Sequence, residues 1–428
     1  MKQRILIALV ALVSTWASAS TNYTLSVTAD RPDAIYKQGE TVTFTIKLLL
    51  DKQPVDNAQV SWIITKDGVP PTTNGKVKLA GGIATVTGKL DEPGFLLCRA
   101  GFAGPEKLSR TALGGAAIDP LKIKPSMPAP ADFDEFWAAQ KKKLAAVPVN
   151  PRLTPVKSPI KNVDCFDLQA DCVGAPVSGY FAKPAGAKPK SLPIILTVHG
   201  AGVRSSSLGG AASWAQKGLL ALDINAHGIP NGKPEQFYTD LRDGKLKDYS
   251  RRGRESRDTI YSRGMSLRLV RALDFLTAQP EWDGRTVVVH GSSQGGFQSL
   301  VAAGLDPRVT FFAAGIPGGC DHTGFKAGRV NGCPKLIATG ETPPPNVLEA
   351  VRYYDAVNFV TRSKAAGIVT LGFIDTTCPP SCVYAAYNAI PGKKEIFNDV
   401  KSGHAISPKA GEAMRNAILA HVEAMKKK

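Results

Sequence analysis

Residues 287–296 read VVVHGSSQGG, and this stretch decides the fold. Its valines are typical of a buried strand, and the strand runs directly into a G-x-S-x-G pattern centred on Ser293. Residues 297–303 then predict a helix, whose N-terminus would face developing negative charge. The same pattern also occurs in ordinary Gly/Ser turns. Because a strand, a tight turn and a helix surround it here, we predict that Ser293 is a catalytic nucleophile.

Strand and helix patterns alternate on both sides of this stretch. Buried strands are predicted at residues 192–198, 218–224, 309–315 and 368–374. Apolar side chains at near-helical spacing predict an amphipathic helix over residues 258–278, and the chain is expected to close with a helix over 411–428. This alternation is typical of an α/β domain with a mostly parallel sheet, which we assign to residues 119–428.

The preceding part of the chain has a different character. Residues 20–118 contain short runs of period two, and turn residues separate these runs at the spacing of a β-sandwich. We therefore expect an all-β, immunoglobulin-like accessory domain with a spacer, dimerisation or glycan-binding role. A Pro-rich stretch from Asp119 to Pro130 would link it to the α/β domain.

Residues 1–19 have the pattern of a secretory signal peptide. Lys2 and Arg4 precede an apolar run, and Ala17-Ser18-Ala19 forms a cleavage site. The apolar run is too short for a permanent membrane anchor. A lipid anchor is not expected either, because no cysteine lies near the cleavage site. The mature protein is expected to be periplasmic or secreted, without a stable membrane anchor.

Seven cysteines fit such an oxidising compartment. Their proximity along the chain suggests the disulfides Cys165–Cys172, Cys320–Cys333 and Cys378–Cys382, which leave Cys98 alone. The alternative is a metal site at Cys320, His322 and Cys333, but no C-x-x-C or H-E-x-x-H spacing supports it. Neither a metal nor an organic cofactor is expected.

The charge balance is strongly basic, with a formal net charge of +17 and a sequence pI of about 9.5. Such a balance can indicate nucleic acid, an acidic glycan or an anionic surface as the partner. The lysines are mostly scattered, and no recognition helix or RNA-binding aromatic motif accompanies them, so we expect no nucleic-acid partner. A soluble basic surface is the main interpretation, and attraction to acidic polysaccharide is the alternative.

A nucleophilic serine needs an acid and a histidine, which follow it in that order in α/β-hydrolases. His404 lies in a loop after the short strand 395–397 and is the predicted base, whereas His421 falls inside the C-terminal helix, where packing is expected. Asp375 ends the strand at 368–374 and is the predicted acid. Asp399 is the alternative, although its loop would have to double back to reach His404.

The tetrahedral intermediate of acyl transfer needs two backbone N–H donors. One donor belongs to the residue after the nucleophile, Gln294. The second is expected in the loop after the strand at 192–198, which reads His199-Gly200-Ala201-Gly202. Within this loop Ala201 is the predicted donor.

At these residues the chain resembles the acetyl xylan esterases and cephalosporin-C deacetylases of the α/β-hydrolase superfamily. The resemblance is carried by DFDEFW at 132–137, HG at 199–200, GSSQGG at 291–296, and DTTCPPS at 375–381 followed by YAAYN at 384–388. The last motif is the most specific, and it independently supports Asp375. The resemblance implies a serine carboxylesterase that removes O-acetyl groups from xylan, xylo-oligosaccharides or related sugars through an acetyl-serine.

The chain departs from this family at several positions. The family usually has an aromatic residue after the H-G pair, and Ala201 at this place removes a large wall from the acyl pocket. Ser292 and Phe297 each replace a glycine. Family members commonly form ring-shaped hexamers, which implies a homo-oligomer, but the N-terminal sandwich is an addition to the plain catalytic domain.

Two other functions stay open at this point. An esterase for larger acyl groups or a serine peptidase could use the same fold, because Ala201 leaves room beside the nucleophile. A non-enzymatic glycan-binding protein is the second alternative. The presence of Ser293, Asp375 and His404 together argues against it.

Overall fold

The computed structural model describes residues 22–66, 68–69 and 71–427. The signal peptide predicted at residues 1–19 lies outside these residues. None of the helices in the described ranges is both long and apolar enough to cross a membrane.

The first part of the chain forms strands that pair mainly antiparallel. One sheet contains β1, β3, β4 and β7, and another has the order β2-β9-β8-β5-β6. Along β3 every second side chain is fully buried, from Val42 to Leu48, which is the period of a sheet with one face in a core. The strands are β1 (Tyr23–Ala29), β2 (Ile35–Tyr36), β3 (Thr41–Leu50), β4 (Gln53–Pro54), β5 (Gln59–Lys66), β6 (Pro71–Lys78), β7 (Ile83–Lys89), β8 (Gly94–Ala103) and β9 (Ser109–Ile118).

The rest of the chain builds a larger sheet with the order β10-β11-β12-β14-β13-β15-β16-β17-β18. The six strands β14, β13, β15, β16, β17 and β18 pair parallel. At one side of the sheet, β10, β11 and β12 pair antiparallel with one another, and β12 pairs antiparallel with β14. The strands are β10 (Arg152–Val156), β11 (Val163–Ala170), β12 (Val177–Pro184), β13 (Leu192–Val198), β14 (Leu220–Ile224), β15 (Trp282–Ser292), β16 (Phe311–Gly315), β17 (Ala366–Gly372) and β18 (Lys394–Asp399).

Helices cover both faces of this sheet. Val288 packs in a cluster with α2 and α9, whereas Val287 and Val289 pack on the opposite face with α4 and α5. A strand that is buried on both faces reads as a continuous apolar run, which explains the three consecutive valines. The helices are α1 (Phe133–Ala145), α2 (Leu208–Ala215), α3 (Glu235–Asp243), α4 (Ser262–Thr277), α5 (Gln294–Leu305), α6 (Pro345–Arg352), α7 (Ala356–Val360), α8 (Pro380–Ala389) and α9 (Pro408–Lys426).

The mixed α/β character predicted for residues 119–428 is confirmed, and each predicted strand and helix is present with small shifts in its ends. The helix predicted at 258–278 begins at Ser262. The residues before it turn instead, because the N–H groups of Thr259 and Ile260 bond to Ser256 and that of Tyr261 bonds to Arg252.

The predicted disulfides are wrong, since all seven cysteines are free. Cys165 and Cys172 belong to different hydrophobic clusters, so their side chains pack into separate cores. The Cys333 thiol interacts with that of Cys378, whereas the Cys320 thiol donates to the Gly318 carbonyl (3.3 Å). Proximity along the chain was a poor guide here because strand direction and loop packing decide which thiols meet. Within the described ranges, no group of His, Cys, Asp and Glu side chains is suited to hold a metal ion.

Strands β8 and β9 pack onto the end of β17. Phe95 meets Phe373 edge to face, with ring centroids 5.2 Å apart, and also lies 5.7 Å from the ring of Tyr384 on α8. Beside it, a Cβ atom placed on Gly115 would lie 2.4 Å from the carbonyl oxygen of Phe373. The N-terminal strands therefore touch the segment that leads directly to Asp375.

Candidate active site

Ser293 lies in a sharp turn between β15 and α5. Its backbone has φ 58° and ψ −118°, a conformation that residues other than glycine rarely adopt. Three backbone hydrogen bonds hold it: the Ser293 N–H donates to the Gly315 carbonyl (2.9 Å), and the Ser293 carbonyl accepts the N–H groups of Phe297 and Gly318 (3.0 Å each). The turn therefore presents the hydroxyl at the carboxyl edge of the sheet.

The turn requires glycine at Gly295. A Cβ atom at this position would lie 2.1 Å from the Val198 carbonyl oxygen, far inside van der Waals contact. Without the side chain, the first turn of α5 lies directly against the end of β13. This contact sets the distance between the loop that follows Val198 and the serine.

Asp375 follows β17 and is buried, with its side chain 1% exposed. Its Oδ1 accepts the backbone N–H groups of Thr377 (2.8 Å) and Cys378 (2.9 Å). Its Oδ2 faces His404. A buried carboxylate is tolerated when donors satisfy it, and three donors do so here.

His404 lies in the loop between β18 and α9 and joins the other two side chains. Its Nδ1 is 2.8 Å from Asp375 Oδ2, and its Nε2 is 2.9 Å from Ser293 Oγ. The hydrogen bond with Asp375 raises the pKa of His404 above its ordinary value, and partial burial opposes this. The structure thus brings the three predicted side chains together at the ends of β15, β17 and β18.

The alternative residues lie elsewhere. Asp399 ends β18, and the carboxylate bonded to the His404 ring is that of Asp375. His421 packs on the C-terminal helix as expected, with its Nε2 3.0 Å from the Thr310 hydroxyl and its ring stacked on Phe311. Burial lowers the pKa to about 4 for three further histidines, which are therefore neutral near pH 7: His199, His227 and His322.

The two predicted oxyanion donors flank the serine. Ala201 and Gln294 line, together with Ser293, a cavity of about 470 Å³. Gln294 is the first residue of α5, where backbone N–H groups have no partner inside the helix. In the described part of the chain, neither the Ala201 N–H nor the Gln294 N–H meets an acceptor.

Tyr249 also lines this cavity, and the sequence did not indicate it. It lies in a short 3-10 turn, Tyr249–Arg251, between α3 and α4. Its hydroxyl accepts the Gly202 N–H at 3.2 Å and donates to Gln294 Oε1 at 2.6 Å. Residues 235–261 carry no motif, so only their position over the cavity identifies this side chain.

Comparisons with known proteins agree with this geometry. The family model described as acetyl xylan esterase (AXE1) matches residues 117–408. The acetyl esterase Axe7A of Xylanibacter ruminicola is 34% identical over 373 residues, which are 85% of this chain and 82% of that protein.

Solved structures give the same result. The acetyl xylan esterase from Paenibacillus sp. R4 is 28% identical with a TM-score of 0.62, and the match covers 70% of this chain and 98% of that one. Acetyl xylan esterase 1 from Thermoanaerobacterium sp. JW/SL YS485 shares the fold, at 23% identity and a TM-score of 0.57, over 70% of this chain and 97% of that one. The chain therefore belongs to the acetyl xylan esterase family and is a carboxylic ester hydrolase.

Proposed function

We propose that the chain is an exported serine esterase that removes O-acetyl groups from xylan, xylo-oligosaccharides or related sugars. The observation that carries this proposal is the continuous hydrogen-bond chain from Asp375 through His404 to Ser293, with heavy-atom distances of 2.8 and 2.9 Å. This order of acid, base and hydroxyl is what nucleophilic acyl transfer needs.

In the first step, His404 Nε2 accepts the Ser293 proton while Oγ bonds to the acetyl carbonyl carbon. The carbonyl oxygen becomes negative and accepts the backbone N–H groups of Ala201 and Gln294, each of which is expected to contribute about 100- to 1000-fold in rate. The bond to the sugar oxygen then breaks, and that oxygen takes the proton from His404. The products are the free sugar alcohol and acetyl-Ser293.

In the second step, His404 accepts a proton from water while the water oxygen attacks the acetyl-serine carbonyl. The same two N–H groups stabilise the second tetrahedral intermediate. Its collapse breaks the bond to Ser293 Oγ, which regains a proton from His404 as acetate is released. Throughout both steps Asp375 keeps the Nδ1 proton of His404 in place and stabilises the imidazolium.

The substrate proposal is supported by two relatives, an acetyl esterase at 34% identity and an acetyl xylan esterase at 28% identity. Export is supported by the basic, apolar and A-x-A segments at residues 1–19 and would bring the enzyme to a polymer outside the cytoplasm. Homo-oligomer formation, implied by the family resemblance, is also a proposal for this chain.

The test is acetate release from acetylated xylo-oligosaccharides, measured together with hydrolysis of nitrophenyl acetate, butyrate and octanoate. We expect acetate to be released and the acetate ester to be the best of the three. A preference for octanoate would favour the alternative of an esterase for larger acyl groups, to which the 470 Å³ cavity beside Ala201 lends some support. Hydrolysis of the nitrophenyl esters without acetate release from sugars would contradict the substrate class alone.

The pH dependence follows from His404. A general base acts only when it is neutral, and Asp375 raises the pKa of His404 above 6.5. The value of kcat/KM for nitrophenyl acetate should therefore rise with pH and level off only above this raised pKa. A pH–rate profile measures the inflection, and an inflection at or below 6.5 would contradict the role of the ion pair.

We also propose a division into residues 20–118, an immunoglobulin-like accessory domain, and residues 119–428, the catalytic domain. The paired sheets of β1 to β9 support the first, and the family match that begins at residue 117 supports the second. Because Gly115 and Phe95 pack on Phe373, two residues before Asp375, we propose that the accessory domain holds the acid loop in place.

Gly115→Ala tests this role. The added methyl would meet the Phe373 carbonyl at 2.4 Å, so β9 and the acid loop must move apart, and we expect kcat to fall about 10- to 100-fold. Gly114→Ala is the matched control, because its methyl meets Val27 (2.6 Å) inside the N-terminal sheets. It should lower the melting temperature and leave kcat unchanged. Equal kcat values for the two variants would remove the proposed role.

A further inference from the structure

We infer that Tyr249 is a positioning residue of the oxyanion hole, and that its ring also limits the length of the acyl group. This inference rests on the proposed function. The hydroxyl of Tyr249 joins the loop that carries Ala201 to the residue that follows the nucleophile. These two chain segments supply the two proposed oxyanion donors, so the distance between them decides how well both donors reach one oxygen atom.

The hydrogen bonds of Tyr249 define this link. Its hydroxyl accepts the Gly202 N–H (3.2 Å) and donates to Gln294 Oε1 (2.6 Å). Gly202 directly follows Ala201, and Gln294 directly follows Ser293. Burial raises the pKa of Tyr249 above its ordinary value, so the hydroxyl keeps its proton near pH 7 and can donate it to Gln294 Oε1.

The loop before Gly202 needs such a link. Gly200 and Gly202 lack side chains, and Gly202 has a φ of +124°, a region that glycine enters freely. The bond to Tyr249 also occupies the Gly202 N–H, whereas the neighbouring Ala201 N–H meets no acceptor in the described part of the chain. On the other side, Gln294 Nε2 is buried without an acceptor in the described ranges, so Tyr249 is the partner that orients this amide.

The ring of Tyr249 is itself held firmly. It packs edge to face on His227, with centroids 4.5 Å apart, and lies 5.2 Å from the ring of Tyr261. Val203 and Leu246 complete a small hydrophobic cluster around it, separate from the main cores. The hydroxyl is therefore fixed by packing and does not depend on its own hydrogen bonds for its position.

The same ring lines the cavity that Ser293 and Ala201 also line. Ala201 contributes only a methyl group to this cavity, and Tyr249 is 8% exposed beside it. An aromatic side chain from a different segment of the chain thus takes up room in the cavity in which Ala201 is small. Removal of the ring would enlarge the cavity next to Ser293, whereas removal of the hydroxyl alone would leave its size unchanged.

Two variants separate these effects. Tyr249→Phe keeps the ring and loses the link, so kcat for nitrophenyl acetate should fall about tenfold or more with little change in KM, since oxyanion contacts form mainly in the transition state. Tyr249→Ala should lose kcat similarly and, in addition, raise the rate for octanoate relative to acetate by about tenfold. Both are measured as full kcat and KM sets, with melting temperatures.

Tyr238→Phe is the matched control. Tyr238 is also 8% exposed, and its hydroxyl likewise accepts an N–H (Lys233, 3.1 Å) and donates to a carbonyl (Pro230, 2.9 Å), but it does not line the cavity. Its kcat should match the wild type. Wild-type kcat in Tyr249→Phe, or an equal loss in Tyr238→Phe, would overturn the inference. If the wild-type enzyme hydrolysed none of the esters, the result would instead contradict the proposed function.

Discussion

Ser293→Ala is expected to lower kcat for nitrophenyl acetate by about 10⁶-fold, the loss seen when a serine hydrolase loses its nucleophile. The variant removes the atom that forms the acetyl intermediate, while the Ala201 and Gln294 N–H groups remain. Alanine fits the space of serine, and the positive φ of residue 293 is held by backbone hydrogen bonds that the change does not touch. The measurement is steady-state hydrolysis with matched melting curves.

Non-additivity gives a sharper form of this test. His404→Ala should lower kcat about as much as Ser293→Ala does. The kcat of the double variant should be little lower than that of either single variant, because the two groups act as one unit. Ser299→Ala is the control: this serine lies on α5, and its hydroxyl bonds to the Gly295 carbonyl inside the helix. Its kcat should stay within about twofold of the wild type. Losses that add up in the double variant would show independent roles and contradict the triad.

The part of the site that could be predicted from sequence is the part with local signals. The Ser293 turn was predictable because strand, glycine-bounded turn and helix are contiguous, and the parallel sheet followed from alternating apolar runs. Asp375 and His404 were predictable because chain order and a specific motif restrict them. The 2.8 Å contact between Asp375 Oδ2 and His404 Nδ1 depends on β17 and β18 being neighbours in the sheet. The order of these residues along the chain does not by itself establish that pairing.

The features that sequence reasoning missed are contacts between distant segments without a motif. Tyr249 reaches Gly202 and Gln294 across 47 and 45 positions of sequence, and nothing in residues 235–261 marks it. The predicted disulfide pairs were wrong for a related reason. Cys333 meets Cys378 because the loop before α6 packs beside the acid loop, and neighbours in sequence such as Cys165 and Cys172 point into different cores.

Asp375→Asn is expected to lower kcat by about 10⁴-fold, the size of effect found when a triad aspartate becomes an amide. The geometry fixes how the new side chain must lie. The Thr377 and Cys378 N–H groups, which bond to Oδ1, require an acceptor, so the amide oxygen takes that place. The amide NH₂ then occupies the position of Oδ2 and faces His404 Nδ1, which must become an acceptor.

This tautomer places the His404 proton on Nε2, 2.9 Å from Ser293 Oγ, so the ring can no longer accept the serine proton. The pKa of His404 should fall as well, because the Asp375 hydrogen bond that raises it is lost, and the pH–rate inflection should move down. Asp399→Asn is the matched control, since Asp399 ends β18 and the ring is bonded to Asp375 instead; its kcat should be nearly unchanged. A large loss of kcat in Asp399→Asn together with a small loss in Asp375→Asn would assign the role of the triad acid to Asp399 instead of Asp375.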